Sequence, residues 1–217
     1  MQDRYIRVTG TGSLTIKPDQ TIIDITIRDT EEKHEDAVRR SAELTNVVKD
    51  ALGEAGFGKE DVKTTSFSIQ PRYESYNDDG VWKKRFIGYE YSHAMKIVFD
   101  MDKERLGKVF EVLGSCEASP EFNVSYSLKD QERAKKYLIE KAVLDATEKA
   151  KILASASDVK LVQISNIDYS FGVINFSVCS LEKPRGGAFG KSAGFDVDIE
   201  PDDIRVEDNV TIVWKIE

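Results

Sequence analysis

Over the first thirty residues apolar and polar side chains alternate, the two-residue period of a β-strand. In "YIRVTGTGSLTIKPDQTIIDITI", Ile6 and Val8 point one way, and Ile23, Ile25 and Ile27 share a face further on. Gly10 and Gly12 suggest a bulge or tight bend. Lys17-Pro18-Asp19 reads as a turn, because proline fixes φ and aspartate bonds its own backbone. The segment is expected to form a strand pair.

From about 30 to 55 the period becomes helical. Leu44, Val48, Ala51, Leu52 and Ala55 recur at three- and four-residue spacing, Glu31 and Glu32 sit near the positive N-terminal end, and Gly53, Gly56 and Gly58 end the run. Alternation returns through Phe67 and Ile69. In "RFIGYEYSHAMKIVFDM" it predicts a long strand with Met95, Ile97 and Phe99 on one side. Between these strands "ESYNDDGVWK" reads as a hairpin connection whose turn signal is Asp79-Gly80.

A second helix starts at the N-cap Asp102, carries Leu106, Val109, Phe110 and Leu113 in one stripe, and stops at Gly114. A short strand through Val124, Tyr126 and Leu128 precedes a third helix over about 130–157. Its expected inner residues are Ile139, Ala142, Val143, Ala146, Ala150, Leu153 and Ala154, and so many alanines imply close approach to a sheet or another helix. The last third reads as a strand near 162–171, extendable to Val178, then a glycine-rich loop and the closing strand "VTIVWKIE". "DVKTTSFSIQPRY" after the first long helix echoes "DVKLVQISNIDYSF" after the third. The pattern therefore predicts an α+β fold: antiparallel sheets covered by two long helices and one short helix, with two related β-α-β-β units. The domain reading is one domain over 1–217 with sub-units 1–101 and 102–217.

Composition narrows the function classes. With 31 Lys plus Arg against 39 Asp plus Glu in 217 residues, the net charge is −8, a field that repels nucleic acid and anionic membrane. The basic cluster Lys83-Lys84-Arg85, beside Trp82 and Phe86, reads as an exposed turn rather than a phosphate-binding footprint. No apolar run approaches a membrane span. The first residues lack the order of a signal peptide, so the chain reads as cytoplasmic as written, or as periplasmic or envelope-located if a leader was removed. Cys116 and Cys179 lie outside any CxxC spacing; they read as two packed thiols, with one disulfide as the alternative in an exported chain.

Three stretches carry candidate chemistry. "RGGAFGKSAG" resembles a phosphate loop, but Arg185 stands where the first glycine belongs and no helix follows Ser192. In "DVDIEPDDIRVE", Asp196, Asp198, Glu200, Asp202 and Glu207 occupy positions 1, 3, 5, 7 and 12 of a calcium loop. Pro201 replaces the required glycine, however, so a solvated acidic loop is the main reading and a Ca2+ site the alternative. His34, among carboxylates, reads as an exposed histidine in a charged turn, and His93, between Ser92 and Ala94, as a satisfied surface or half-buried imidazole, since neither has the partners of a catalytic triad. No catalytic constellation or cofactor motif is legible, and the chain is expected not to be an enzyme. Tyr76, Trp82, Phe86, Tyr89 and Tyr91 cluster with Tyr73 around one hairpin. Strand alternation sends some of them inward to the core and leaves the others as interface candidates.

Four blocks resemble the SIMPL-domain (DUF541) family: "VTGTGSLTIKPDQTIIDITI", "IGYEYSHAMKIVFDMDKERLGKVFEVL", "EKAVLDATEKAKILAS" and "VEDNVTIVWKIE". Together they span nearly the whole chain, and the first and third are the more specific. The resemblance implies a bacterial or archaeal protein, often exported to the periplasm or envelope, assembling into homo-oligomers and linked to stress tolerance, with no established reaction. The sequence-level expectation is a protein that works by self-association or partner binding. A cation or small-ligand module built on loop 183–207 is the alternative.

Overall fold

A computed structural model of the chain describes residues 4–169, 172, 174–179 and 199–217. The elements run β1 (Arg4–Ile16), β2 (Gln20–Glu31), α1 (His34–Glu54), β3 (Lys63–Asp78), β4 (Val81–Asp100), α2 (Lys103–Gly114), β5 (Glu121–Ser127), α3 (Gln131–Ala156), β6 (Leu161–Asp168), β7 (Val178–Cys179) and β8 (Ile204–Ile216). This is an α+β fold of antiparallel sheets, as the alternation predicts. The chain forms two compact units. One holds Met1–Asp19, Ser127–Val178 and Pro201–Glu217, and the other Gln20–Tyr126 and Cys179–Glu200.

The N-terminal segment is not a strand pair. β1 pairs with β8 and β2 with β4, so the Lys17-Pro18-Asp19 link passes the chain from one unit to the other. The physical reason is the missing hairpin chemistry: none of the three has the positive φ that two-residue hairpin turns use. Asp19 is held instead by its carboxylate, which accepts from the Lys129 N–H at 2.8 Å, and by its own N–H to the Ser127 carbonyl at 3.1 Å.

In the first unit the strand order is β1-β8-β6. β1 and β8 keep an unbroken register from Arg4↔Ile216 to Ile16↔Ile204, so Gly10 and Gly12 mark no bulge. They mark contact. A Cβ on Gly10 would lie 2.1 Å from the Ala142 carbonyl oxygen, and one on Gly12 2.0 Å from that of Leu138, so strand backbone rests directly on helix backbone. The helix makes room with a row at four-residue spacing, Ala134, Leu138, Ala142, Ala146, Ala150 and Ala154, all buried. Leu153, expected inward, is exposed, because the inner row drifts along the four-residue spacing and leaves it outside. Val8, Val210, Ile212 and Trp214 close the core against the alanines. The edge of β1 is also covered: the Thr11 N–H donates to Asp145 at 2.7 Å, and Lys149 holds Asp145 at 2.7 Å while reaching the Thr9 carbonyl at 3.5 Å. Together these contacts pull the Asp145 carboxyl below its ordinary value, Lys149 first and the Thr11 N–H second.

In the second unit the order is β3-β4-β2-β5, with the two-residue β7 beyond it. Here the helix-facing side is large: Ile23, Ile25 and Ile27 of β2 and Tyr91, Met95, Ile97 and Phe99 of β4 are buried. Leu44, Val48 and Leu52 are the buried residues of α1, which packs on β2 and β4 and carries α2 alongside. α1 begins at His34, later than the sequence period suggests, because β2 goes on pairing with β4 as far as Glu31↔Tyr89. α2 starts at the predicted cap, where the Asp102 carboxylate accepts from the Arg105 N–H at 3.0 Å.

Candidate functional site

The stretch "ESYNDDGVWK" forms the expected hairpin with its turn at Asp79-Gly80. β3 and β4 run on through it, and Asp79 (φ 49°) and Gly80 (φ 84°) alone make the connection, the two-residue turn with both φ positive whose twist suits a hairpin. The Asn77 side chain braces it, accepting from the Gly80 N–H at 2.9 Å. β2 accompanies β4 only as far as Tyr89. Beyond that point, among the described residues, Tyr73–Asp78 and Val81–Phe86 pair with each other alone, a two-stranded arm continuing past the rest of its sheet. At its base the register slips by one residue, and Gly88 (φ 145°) passes so close to β2 that a Cβ would sit 2.5 Å from the Glu31 carbonyl. No side chain but hydrogen fits there.

The two faces of the arm differ. Pairing of Glu74 with Arg85, Tyr76 with Lys83 and Asp78 with Val81 gives one face, closed by ion pairs of 3.1 Å (Arg85–Glu74) and 2.5 Å (Lys83–Asp78). The other carries Tyr73 opposite Phe86, Ser75 opposite Lys84 and Asn77 opposite Trp82. Its rings form a ladder: Tyr73 to Phe86 at 5.7 Å, Phe86 to Tyr89 at 5.3 Å and Tyr89 to His34 at 5.5 Å, each edge-to-face. Trp82, at 72% the most exposed large apolar side chain among the described residues, stands beside the turn. Of the interface candidates, Tyr76, Trp82 and Phe86 are therefore on the surface and Tyr89 is half-buried. Tyr91 is fully buried: below the bulge the alternation turns it under α1 into the core, and burial, with the nearby Asp29 charge, pushes its phenol up to about 12.

On the helix side of the same sheet lies a groove of about 330 Å³, lined by Val38, Ser41, Ala42, Thr45 and Asn46 of α1, Phe67 of β3 and His93 of β4. The Thr45 hydroxyl donates to the Ser41 carbonyl at 2.7 Å, so it must accept from His93 Nδ1 at 2.8 Å. Thr64 lies 2.9 Å from Nε2. A neutral ring with its proton on Nδ1 satisfies all three contacts. Burial first, and the Lys49 charge second, lower the His93 pKa from its ordinary 6.5. In the groove wall the Ser41 hydroxyl is buried with no hydrogen-bond partner among the described residues. A separate hollow of about 470 Å³ is lined by Phe57, Asp61, Phe99, Asp102 and Arg105, whose guanidinium lies 4.0 Å over the Phe57 ring and donates to the Gly56 carbonyl at 3.0 Å.

The other sequence candidates are dispersed. Asp196 and Asp198, like the glycine-rich stretch 185–194, lie outside the described residues. Glu200 pairs with Lys103 at 3.2 Å, and Glu207 is an exposed residue of β8 rather than of a loop, because the closing strand starts at Ile204 instead of Val210. Among the described residues, no group of three or more His, Cys, Asp or Glu side chains is placed to hold a metal. Cys116 carries a free, half-buried thiol, and His34 is exposed at the start of α1. No described helix is long and apolar enough to cross a membrane.

An α+β protein whose second sheet extends a bare aromatic arm is the class these elements define. Residues 6–214 match the SIMPL family, described as a protein of unknown function (DUF541), and the chain belongs to that family. It is 26% identical over 167 residues to the 26 kDa periplasmic immunogenic protein of Brucella melitensis, and equally to that of Brucella abortus (strain S19). The match takes in 76% of this chain and 66% of each relative, so it spans slightly less than two thirds of their length.

Proposed function

We propose that this chain is a non-enzymatic, envelope-related protein that works by self-association, with the β3–β4 arm as its assembling element. The observation that carries the reading is the arm itself. An isolated two-stranded hairpin is marginal in water, yet Tyr73 and Phe86 are held edge to face on one side of the arm and Trp82 stands beside the turn, all three exposed. Exposed aromatic side chains on a preformed surface are the usual anchors of a protein interface. The envelope part rests on the periplasmic relatives.

The test is solution mass by light scattering after size-exclusion chromatography. A discrete multimer is expected for the native chain, and a shift toward the protomer for Trp82→Ala, with unchanged circular dichroism. A native chain that stays monomeric at micromolar concentration would remove the proposal.

A further inference from the structure

The arm and the groove belong to one face of one sheet. From the groove, with Phe67 and His93 side by side at 5.3 Å, that face runs through Tyr89 and Phe86 to Trp82. α1 covers it only from His34 onward. We infer that Trp82 of one copy seats in the α1–β3 groove of a second copy, and the second copy's Trp82 in the groove of the first. The inference rests on the self-association proposed above and names the surface the arm takes.

Size, chemistry and geometry converge on this occupant. A groove of about 330 Å³ lies at the bottom of the range of ligand pockets, roughly 300–1,000 Å³, and suits one ring rather than a length of chain. Its walls are apolar in Val38, Ala42 and Phe67, and its floor is a neutral imidazole whose two nitrogens are already bonded, so a flat apolar side chain displaces no hydrogen bond there. An indole adds one obligatory donor, and Asn46 at the rim carries an amide oxygen to accept it. The tip carries Asp79 in the turn and Lys84 on Trp82's own face, and of these Asp79 would come to the groove that Lys49 flanks.

Reach agrees as well. Along β4 the tip at Trp82 and the groove at His93 are eleven residues apart, about 36 Å at about 3.3 Å per residue. The separation is the same in both copies, so two arms lying antiparallel fill both grooves at once. The contact is self-complementary and closes at two.

The experiment uses the full-length chain. Ala42→Phe, at an exposed helix position, fills the groove with the protomer's own ring, while Trp82→Ala empties the tip. Each is expected to weaken association at least tenfold by light scattering across a dilution series. The double variant should be no weaker than either single one, because both remove the same contact. The emission of Trp82, taken as native minus Trp82→Phe to remove Trp214, should shift to shorter wavelength on assembly and lose that shift in Ala42→Phe. Val38→Glu, at the exposed rim, gives the same reading should Ala42→Phe not fold. An assembly that Trp82→Ala dissociates but both groove variants leave intact would overturn the inference while sparing the proposed function. A native chain that never associates would overturn both.

Discussion

The two units have one topology and two kinds of core. β1-α3-β6-β8 and β2-α1-β3-β4 follow the same order, and in each the last strand lies between the first and the third. Where α3 crosses β1, glycine meets an alanine row and backbone touches backbone. Under α1, isoleucine, methionine and phenylalanine meet leucine and valine. Each buried large side chain of the second kind contributes about 1.5–3 kcal/mol. The glycine–alanine seam buries little area per residue and depends on close van der Waals fit. One arrangement of strands can thus be stabilised by shape or by volume, and the two should fail under opposite substitutions.

The largest effect is expected at the seam. Gly10→Val drives side-chain atoms into the Ala142 carbonyl, a clash that relaxation of side chains alone cannot relieve. The loss should exceed the usual overpacking cost of about 1–3 kcal/mol, read as a lowered urea midpoint. A near-neutral result would mean that α3 can lift from β1 freely. Ile25→Ala in the second unit should cost about 2–5 kcal/mol by leaving a cavity, whereas Ala146→Gly at the seam should cost only about 1 kcal/mol, mostly in helix propensity. Similar losses for these two would erase the distinction between the cores.

A smaller effect concerns the groove. The folded-state pKa of His93 is depressed, so its stabilisation is complete above the ordinary value of 6.5 and falls as pH drops through that value, levelling off below the folded pKa. Denaturation midpoints taken from pH 8 to pH 5 should show this slope in the native chain and less of it in His93→Gln. A parallel profile would place the titration elsewhere. Asp145→Asn should cost about 0.5–1.5 kcal/mol, since it weakens the bond from the Thr11 N–H at the edge of β1 and removes the charge that pairs with the exposed Lys149. Because the Asp145 carboxyl titrates low, the native advantage over the variant should persist above the ordinary carboxylate pKa of about 3.9 and vanish at more acid pH. The smallest change is expected for Trp82→Ala in the monomeric state, within about 0.5 kcal/mol; its effect belongs to association.

Much of this was legible in the residues. Periodicity located all three helices, because Leu44–Leu52, Leu106–Leu113 and the alanine row repeat at helical spacing, and the echo after α1 and α3 corresponds to β3 and β6, equivalent strands of the two units. Partner choice was not legible. Nothing local in Ile6–Val8 or Ile23–Ile27 says that they belong to different sheets, since each is paired by a distant strand, Ile6 with Trp214 and Ile25 with Met95. The arm was hidden for another reason. Its many polar residues obscure the strand pattern, and only their alternation across the Asp79-Gly80 turn, with the ion pairs on one face and Tyr73, Phe86 and Trp82 on the other, betrays a ribbon. The groove combines residues from α1, β3 and β4, and no single stretch contains its pattern.

The register of β1 with β8 sets an order of events for a growing chain. Arg4 finds its partner in Ile216, while every strand paired with β4 precedes Asp100. Closing so long a loop is slow relative to local pairing, and the β2–β4 sheet should gain hydrogen-exchange protection before β1 does during refolding; the reverse sequence would refute this. β8 is also the strand with which both β1 and β6 pair. Removing the last dozen residues would therefore take the middle from the first sheet and strand both flanks, leaving the Gly10–Gly12 segment with no sheet to hold it against its helix.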